Sequence, residues 1–446
     1  MLRVNSKEIK PGDTFLALSG NEDDGHNHIE EAIDKGAACI IAEHGEYSVK
    51  TIIANDTRTY LSNYLKELYL EKLDRIKLIG IAGTTGKTIT GDLLYQLLNN
   101  LNSKTALIGT NGFYMNGKMT ELKSTTPDIY DLYELINKAI DDECENIIIE
   151  ISSTSIKQRH IEGLRFDMAI FTNLITKGMS KEVKEDYINT KIELFKVLKK
   201  DGYAIINKKD DNYKYFVFPQ NNNVFYGTKD SDYKISDISL TYDFIEFNIS
   251  DNHIELPLIG SYNIYNFLAA YVTASVLSFP VEAIENSVKE IKPADGRYQN
   301  IKYKDSLIII DYAYDIKRIK NIIKYTKEFS RGRIITLTGC GGDRRKDQRP
   351  QIGKFLTQES DHVIFTTDNP RYEEPEDIIY DIVKGVEKDN YEIIINRKEA
   401  IKKAIDMLEK DDILLILGKG NEEYQIVGSD KFPFKDYNEV MKNIKK

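Results

Sequence analysis

The sequence predicts an α/β protein with three domains. Its 446 residues exceed what a single hydrophobic core usually serves, because domains typically contain about 100–200 residues. Short apolar runs of strand length alternate with helix-like stretches, which is typical of mostly parallel sheets. One of these runs leads through a glycine-rich turn into an amphipathic stretch. We therefore expect a small N-terminal α/β domain at 1–75, a central domain with a mostly parallel sheet at 76–299, and a C-terminal Rossmann-like doubly wound domain at 300–446.

Composition and charge exclude several classes of protein. The chain is 41% hydrophobic and 30% charged, as a soluble globular protein is, and its formal net charge of −10 argues against a surface for nucleic acid. Cys39, Cys144 and Cys340 are scattered and lack C-x-x-C spacing, so neither a disulfide framework nor a cysteine metal site is predicted. The first residues lack the apolar core of a signal peptide, and no run approaches a membrane-spanning length. We expect a cytoplasmic protein with no nucleic-acid or membrane partner.

The N-terminal domain is predicted from two apolar runs, at 14–18 and 38–42, with a helical pattern at 29–35 between them. Turns rich in Pro, Gly and Asp separate these elements. His26 and His28 are interpreted as loop residues, because no carboxylate or cysteine spacing around them supports a metal site.

The glycine-rich turn has the features of a nucleotide triphosphate site. It reads Gly83, Thr84, Thr85, Gly86, Lys87 and Thr88. Glycines let backbone N–H groups surround phosphate oxygens, Lys87 can reach the transferable phosphate, and Thr88 can offer its hydroxyl to Mg²⁺. The spacing departs from G-x-x-x-x-G-K-[ST], because Ile81 stands where the first glycine would be, and fits the narrower G-T-x-G-K-T. A chance turn at a strand–helix junction is the alternative; we predict a P-loop ATPase domain.

Polar residues after the predicted strands of the central domain are candidate ligand contacts, because ligands of parallel sheets bind beyond the strand carboxyl ends. Glu150 closes the apolar run Ile147–Ile149, an expensive place for a carboxylate unless a cation or hydrogen bonds meet it. We interpret it as a Mg²⁺ ligand, with an ordinary strand-end carboxylate as the alternative. Short strands and turns between 201 and 257 suggest a β insertion. In the helix that follows, Asn263 and Asn266 share a face and could cap the helix or contact a base edge.

The C-terminal domain is predicted from five apolar runs separated by helical segments. These runs lie near 306–310, 333–337, 362–365, 392–395 and 413–417. The loops at 339–344, 367–371 and 418–422 are rich in Gly, Asp and Arg. Glycine alone could mark tight turns, but arginine at the ligand-binding edge indicates carboxylate or phosphate recognition, because a guanidinium grips these groups in two bonds.

These features together indicate ATP-driven activation of an acid. Phosphoryl transfer to a carboxylate gives an acyl phosphate, which an amine held by another domain can attack. The sequence offers no Ser/His/Asp or Cys/His pairing that would suggest covalent catalysis.

In this order the motifs resemble those of the Mur ligases, and among them the MurE type, which adds the third amino acid to UDP-N-acetylmuramoyl-L-alanyl-D-glutamate. Segments 5–7 and 11–13 resemble the uridine-binding segment, and 83–88 resembles G-T-N-G-K-T with Thr85 for asparagine. Segment 124–128 resembles the T-T-P-D loop, and 150–153 the metal-binding E-x-S-S. The segment Asp368-Asn369-Pro370-Arg371 resembles D-N-P-R, the form associated with meso-diaminopimelate rather than lysine.

The resemblance implies a role for residues along the whole chain. Lys87, Glu150 and Lys191 are the implied catalytic residues, and Lys191 falls where the family has a carbamylated lysine that holds a second Mg²⁺. The implied metal ligands are Thr88, Glu150 and Lys191. The implied ATP contacts are Gly83, Thr84, Thr85, Gly86, Lys87, Thr88, Asn263, Asn266, Arg297 and Asp311. The implied acceptor contacts are Ser6, Thr125, Thr126, Ser152 and Gln158, and the implied amino-acid contacts are Arg344, Asp368, Asn369, Arg371, Gly418 and Glu422. The expected cofactors are ATP and Mg²⁺, and the expected state is a monomer acting on two small molecules, a UDP-linked muramoyl peptide and an amino acid.

The chain departs from the family at ligand-facing positions. The segment 175–178 lacks the usual Asp-His pair, and in S-S-H-x-L-x-Q-x-R the glutamine is kept as Gln158 while the arginine is displaced to Arg159. Tyr314 and Asn421 stand where histidines are usual. Two further hypotheses therefore stay open: a ligase of this type with another acceptor, such as a polyglutamate-type or secondary-metabolite substrate, and a nucleotide-binding protein without turnover.

Overall fold

A computed structural model of the chain describes residues 1–19, 23–241 and 244–445. The chain divides into two compact units. The first unit comprises residues 1–91 and 102–225, and the second comprises residues 92–101 and 226 onward. No helix of the described residues combines the length and the apolar character needed to cross a membrane.

The first unit begins with a small parallel sheet. Its strands are β1 (Leu2–Arg3), β2 (Thr14–Leu16), β3 (Cys39–Ala42) and β4 (Lys50–Ile53), and its helices are α1 (Ile29–Asp34) and α2 (Thr57–Leu73). The strand order is β1-β2-β3-β4, with every pairing parallel. Phe15, Ile29 and Ile40 form part of a buried core between this sheet and α1, as the alternation of apolar runs and helical pattern predicts.

An eight-stranded sheet follows. Its strands are β5 (Lys77–Ala82), β6 (Thr105–Gly109), β7 (Gly112–Met115), β8 (Lys118–Thr120), β9 (Asn146–Glu150), β10 (Phe166–Phe171), β11 (Leu198–Asn207) and β12 (Asn222–Tyr226). Its helices are α3 (Lys87–Asn100), α4 (Ile129–Asp141), α5 (Ser153–Lys157) and α6 (Lys181–Lys196). The order is β12-β11-β10-β5-β9-β6-β7-β8. The strands from β11 to β6 pair in parallel, and β7 and β8 add an antiparallel edge. The carboxyl ends of β5, β9 and β10 therefore meet at one edge of the sheet.

The predicted β insertion at 201–257 is only partly right. A three-stranded antiparallel sheet is present, formed by β13 (Ile235–Leu240), β14 (Ile245–Ile249) and β15 (Asn252–Leu256). The strands β11 and β12, however, extend the main sheet, because the apolar run Ala204–Ile206 is fully buried beside β10. Residues 242 and 243 of the predicted insertion lie outside the described residues. Two helices follow, α7 (Tyr262–Val276) and α8 (Val281–Val288).

The C-terminal part of the second unit is a six-stranded sheet with a core on each face. Its strands are β16 (Gln299–Tyr303), β17 (Ser306–Asp311), β18 (Ile334–Thr338), β19 (His362–Phe365), β20 (Tyr391–Ile393) and β21 (Ile413–Leu417), followed by the hairpin β22 (Tyr424–Val427) and β23 (Asp430–Pro433). Its helices are α9 (Ile316–Lys327), α10 (Arg349–Glu359), α11 (Pro375–Val383), α12 (Arg397–Asp406) and α13 (Asp436–Ile444). The order is β16-β17-β21-β18-β19-β20; β16 pairs antiparallel with β17, and the other pairings are parallel. Helices α9, α10 and α11 cover one face, and α12 and α13 the other. The predicted doubly wound arrangement is confirmed.

A buried ion pair joins α12 to the start of α13. Arg397 Nε and Nη2 donate to the two carboxylate oxygens of Asp436, each at 2.8 Å, and Nη2 also donates to the Leu417 carbonyl at 3.0 Å. Both side chains are essentially inaccessible to solvent. We expect Arg397→Met to lower the free energy of unfolding by about 3–5 kcal/mol, because it leaves the Asp436 carboxylate buried without a partner.

Urea denaturation of the full chain measures this loss. The double variant Arg397→Met/Asp436→Leu is the matched control, and it should recover most of the stability because no unpaired charge remains. A loss below about 1 kcal/mol in the single variant would contradict the structural role given to this pair.

Candidate active site

The glycine-rich turn connects β5 to the start of α3, as predicted. Gly86 has φ +84°, which favours glycine. At Gly83 a Cβ atom would lie 1.9 Å from Oγ1 of Thr172, so only glycine fits beside the end of β10. Thr84 N donates to the Asn173 carbonyl at 2.9 Å, and Thr172 Oγ1 donates to the Thr85 carbonyl at 2.7 Å. The residues after β10 therefore fix the turn at the amino end of α3, where the helix dipole favours an anion.

Glu150 lies at the end of β9, beside the turn. It is 1% exposed, and its carboxylate accepts hydrogen bonds from Thr88 Oγ1 at 2.9 Å, Thr110 Oγ1 at 3.1 Å and Thr110 N at 3.0 Å. A carboxylate and a hydroxyl side by side are the oxygen ligands that suit Mg²⁺ next to a phosphate. Within the described ranges, no group of three His, Cys, Asp or Glu residues forms a metal site. A P-loop site does not need one, because phosphate oxygens and water complete the coordination.

Two lysines converge on the turn. Lys87 Nζ donates to the Gly83 carbonyl at 3.1 Å, and Lys191 Nζ, from α6, donates to the same oxygen at 2.7 Å. Lys191 is 2% exposed and its ammonium lies 4.7 Å from the ring centre of Tyr187. Burial, and secondarily the charge of Lys87, lowers the pKa of Lys191 to about 7. A large fraction of this amine is therefore uncharged near neutral pH, and the uncharged form is the one that can react with carbon dioxide.

A cavity of about 860 Å³ in the first unit holds part of the predicted acceptor site. Ser6 and Gln158 line it, whereas Thr125, Thr126 and Ser152 do not. The hydroxyls of these last three are used within the protein: Thr126 Oγ1 donates to the Glu150 carbonyl at 2.7 Å, Thr125 bonds Thr110, and Ser152 caps α5. The structure therefore brings two of the five residues to the cavity.

Sequence reasoning named Asp128 only as part of segment 124–128 and assigned no site role to Arg58 or His160. Arg58 lies 3.1 Å from Asp128 in an ion pair, and His160 places Nδ1 3.0 Å from the Thr126 carbonyl; Arg58, Asp128 and His160 all line the cavity. Asp128 had a signal, because it ends the T-T-P-D motif, whereas Arg58 resembles any exposed residue of a helix. The displaced Arg159 does not line the cavity, because its guanidinium is bound by Asp56, Thr59 and Glu162.

The predicted ATP contacts of the second unit lie on α7 and at the end of β17. Asn263 and Asn266 are both buried. Asn263 Nδ2 donates to the Ile259 carbonyl at 2.8 Å, while its Oδ1 has no hydrogen-bond partner among the described residues. Arg297 stacks on Tyr312 with its Cζ 4.6 Å from the ring centre. Unused polar atoms at Asn263 Oδ1 and Arg297 Nε fit a site whose remaining partner is a polar ligand.

Asp311 ends β17 and accepts a hydrogen bond from Tyr298 N at 2.7 Å. Burial raises its pKa to about 6, although the nearby Arg297 charge opposes the shift. Between about pH 4 and pH 6 the Asp311 carboxyl is therefore mostly protonated in the folded chain and mostly ionised in the unfolded chain. The contribution of Asp311 to stability falls as the pH rises through this window. We expect Asp311→Asn to match the wild type in stability at pH 4 and to exceed it by about 2–3 kcal/mol at pH 7.

Urea denaturation at a series of pH values measures this difference. Asp211→Asn is a suitable control, because Asp211 is exposed to solvent. A stability difference that does not change between pH 4 and pH 7 would contradict the raised pKa of Asp311.

A second cavity, of about 420 Å³, lies at the carboxyl edge of the six-stranded sheet. The lining includes all six predicted amino-acid contacts, Arg344, Asp368, Asn369, Arg371, Gly418 and Glu422. Oδ2 of Asp368 is buried and has no hydrogen-bond partner within the described ranges. The cavity thus presents both carboxylates and guanidinium groups, which suits a ligand carrying ammonium and carboxylate groups together.

The Arg371 backbone is held by the hairpin of β22 and β23. Arg371 N donates to the Ile426 carbonyl at 3.1 Å, and Gly428 N donates to the Arg371 carbonyl at 2.7 Å. Arg371 has φ +52°, and its Nη1 donates to the Gly342 carbonyl at 2.8 Å. A left-handed backbone conformation is costly for a residue other than glycine, and such strain is common at ligand-binding sites. Tyr314, which stands where the family has histidine, also lines this cavity and stacks with Arg318 at 4.5 Å.

Comparison with known proteins agrees with this geometry. Three family models match the chain: "Mur ligase family, catalytic domain" over residues 1–82, "Mur ligase middle domain" over 81–274, and "Mur ligase, glutamate ligase domain" over 296–420. The curated "UDP-N-acetylmuramoyl-L-alanyl-D-glutamate--2,6-diaminopimelate ligase" of Clostridium perfringens is 35% identical, over 99% of this chain and 94% of its own length. The enzyme of the same name from Aquifex aeolicus is also 35% identical, over 99% of this chain and 93% of its own.

Solved structures show the same fold. A structure titled as a UDP-N-acetylmuramoyl-L-alanyl-D-glutamate--2,6-diaminopimelate ligase has a TM-score of 0.74 at 27% identity, covering 100% of this chain and 94% of that chain. The MurF ligase from Thermotoga maritima in complex with ADP has a TM-score of 0.64 at 20% identity, covering 94% of each chain, and supports the fold alone. The matches confirm the predicted three α/β domains and the predicted resemblance. The chain belongs to the Mur ligase family of ATP-dependent ligases.

Proposed function

We propose that this chain joins meso-diaminopimelate to UDP-N-acetylmuramoyl-L-alanyl-D-glutamate, with ATP as the energy source, in peptidoglycan precursor synthesis. The observation that carries the proposal is the cavity in which Arg371, Asp368 and Glu422 face one ligand space. Relatives about 35% identical over nearly the full length carry the name of this ligase, which supports the same substrates here.

The first half of the proposed reaction energises the acceptor carboxylate. ATP, when bound, supplies the phosphoryl group that turns this carboxylate into an acyl phosphate. The turn at 83–88 and the amino end of α3 are proposed to bind the phosphates, and Lys87 to neutralise the charge that develops during transfer. Thr88 and Glu150 are the proposed ligands of one Mg²⁺, supported by their 2.9 Å contact.

Lys191 is proposed to hold a second Mg²⁺ as a carbamate. The lowered pKa of its amine, about 7, supports this assignment, because only an uncharged amine can take up carbon dioxide. The uncharged amine and carbon dioxide would form the carbamate and release one proton, which would leave a buried anion beside Lys87. A carbamate offers oxygen atoms that can bind Mg²⁺, whereas the protonated amine repels it.

The second half of the reaction uses the cavity of the second unit. Asp368, with its unused buried oxygen, and Glu422 are proposed to hold an ammonium group of the amino acid. Arg371 and Arg344 are proposed to bind a carboxylate, which for diaminopimelate includes the distal carboxylate that lysine lacks. Asn263, Asn266, Arg297 and Asp311 are the proposed ATP contacts of the same unit.

The remaining assignments follow from this function. The proposed acceptor contacts are Ser6, Thr125, Thr126, Ser152 and Gln158. Ser6 and Gln158 have direct support because they line the 860 Å³ cavity.

Domain boundaries at 75/76 and 299/300 are proposed, near the edges of the family matches. Three free cysteines support a reducing cytoplasm, in which we propose that the chain acts as a monomer.

Phosphate release tests the proposal. The purified chain is incubated with ATP, Mg²⁺, the muramoyl dipeptide nucleotide, and either meso-diaminopimelate or lysine. Release that requires the nucleotide and is selective for diaminopimelate is the expected result. Release only with an unrelated acceptor would replace the substrate assignment, and ATP binding without release under any condition would favour a chain that has lost turnover.

A further inference from the structure

A buried lysine lies directly behind the amino-acid cavity. Lys419 belongs to the loop after β21; its side chain is fully inaccessible to solvent, and it does not line the cavity. A buried ammonium is unfavourable unless it is paired and hydrogen-bonded. Lys419 Nζ donates to Asn369 Oδ1 and to Glu422 Oε2, each at 2.9 Å, and lies 5.9 Å from the ring centre of Phe434. Its charge is therefore satisfied by two residues that do line the cavity.

The three residues form a closed set of hydrogen bonds. Asn369 Nδ2 donates to Glu422 Oε2 at 2.8 Å, so Lys419, Asn369 and Glu422 are bonded pairwise. Asn369 Oδ1 also accepts from Ile426 N at 3.0 Å. Rotating the amide by 180° would turn its NH₂ group toward the ammonium and toward Ile426 N, which places donor against donor. Lys419 and Ile426 N thus together set the direction in which the Asn369 amide points.

The same bonds orient the Glu422 carboxylate. Both of its hydrogen bonds end on Oε2, which leaves Oε1 available to a ligand in the cavity. The positive charge of Lys419 balances the negative charge of Glu422, so the buried pair is neutral as a whole. Asp368 Oδ2, which has no hydrogen-bond partner in the described chain, is a second carboxylate oxygen that the cavity can offer to an ammonium.

We propose that Lys419 is a positioning residue for the amino-acid substrate. The inference rests on the proposed function in one respect, that the amine substrate occupies the 420 Å³ cavity. Lys419 acts through Asn369 and Glu422 and touches no substrate. Its loss removes the ammonium that holds the Glu422 carboxylate and one of the two donors to Asn369 Oδ1. This side of the pocket is then less ordered before the amino acid binds, at a cost in affinity.

Steady-state kinetics of Lys419→Met test this proposal, with the amino acid that the wild type uses. The KM for the amino acid should rise at least about tenfold, while the KM values for ATP and for the nucleotide acceptor should stay within about twofold. Lys419→Gln, which keeps an uncharged donor for Asn369, should have an intermediate KM and serves if the methionine variant folds poorly. The exposed Lys402→Met on α12 is the matched control and should leave all three KM values unchanged.

A double-mutant cycle with Asn369→Ala separates positioning from general support of the fold. Because Lys419 bonds both Asn369 and Glu422, the double variant should raise the KM for the amino acid by clearly less than the product of the two single-variant factors. Multiplicative effects of the two changes, an unchanged KM in folded Lys419→Met, or an equal rise of all three KM values would overturn the proposal. Use of lysine in place of diaminopimelate by the wild type would overturn the proposed substrate alone, and the cycle would then be measured with lysine.

Discussion

Lys87→Ala is expected to lower turnover by about 10³-fold or more. Lys87 is the first residue of α3, and its ammonium lies 3.1 Å from the Gly83 carbonyl at the glycine-rich turn. Phosphoryl transfer is catalysed almost entirely by positioning and charge neutralisation, so the loss of this cation removes stabilisation that alanine cannot supply. Phosphate release at saturating substrate measures the change.

Lys77→Ala provides the matched control for this experiment. Lys77 is an exposed lysine at the start of β5, the strand that leads into the same turn. It should leave turnover unchanged. Turnover of folded Lys87→Ala within about tenfold of the wild type would refute the assignment of the turn as a phosphate site.

Arg371→Ala is expected to raise the KM for diaminopimelate by about 100-fold, which corresponds to about 3 kcal/mol at 25 °C. A guanidinium binds a carboxylate through two charge-assisted hydrogen bonds, and alanine offers none. The KM for ATP should stay within about twofold, because the predicted ATP contacts do not include this residue. Kinetics with each substrate varied in turn separate these two effects.

A second variant guards against a change in the loop itself. Arg371 has φ +52°, a conformation in which alanine is strained and glycine is not. Arg371→Gly should therefore keep the loop and show the same rise in KM as the alanine variant. The exposed Arg331→Ala is the control. An equal loss in the use of ATP and of diaminopimelate would remove Arg371 from the proposed pocket.

The strands were predictable where their apolar runs are buried on both faces. The isoleucines of β9 and β17 are fully buried, and both strands lie where the runs predict them. Strands β11 and β12 were not predicted as part of the main sheet, because the local sequence does not specify which neighbouring strand a strand pairs with. The burial of β11 beside β10 decides the pairing.

The candidate site was predictable where a motif fixes the backbone and not where the fold supplies the contact. The glycines of the turn and of the 418–422 loop mark backbone geometry that sequence shows directly. Arg58 and Lys419 could not be found in this way. Arg58 looks like an ordinary surface residue of its helix, and its own loop gives no sign that Lys419 is buried. Contacts with residues distant in sequence, Asp128 for Arg58 and Asn369 for Lys419, are needed to see their roles.

Because Thr172 lies so close to Gly83, the side chain that is tolerated at 83 depends on the residue at 172. A methyl group at 83 has no room while the Thr172 hydroxyl lies 1.9 Å from that point, and that hydroxyl also bonds the Thr85 carbonyl. Alanine at 83 would therefore force the Thr172 hydroxyl away from its bond to the Thr85 carbonyl. Gly83→Ala alone should prevent growth in a complementation assay that depends on the enzyme, and pairing it with Thr172→Gly should recover part of that growth. Such epistasis would place the evolutionary constraint on the adjoining strand as much as on the turn.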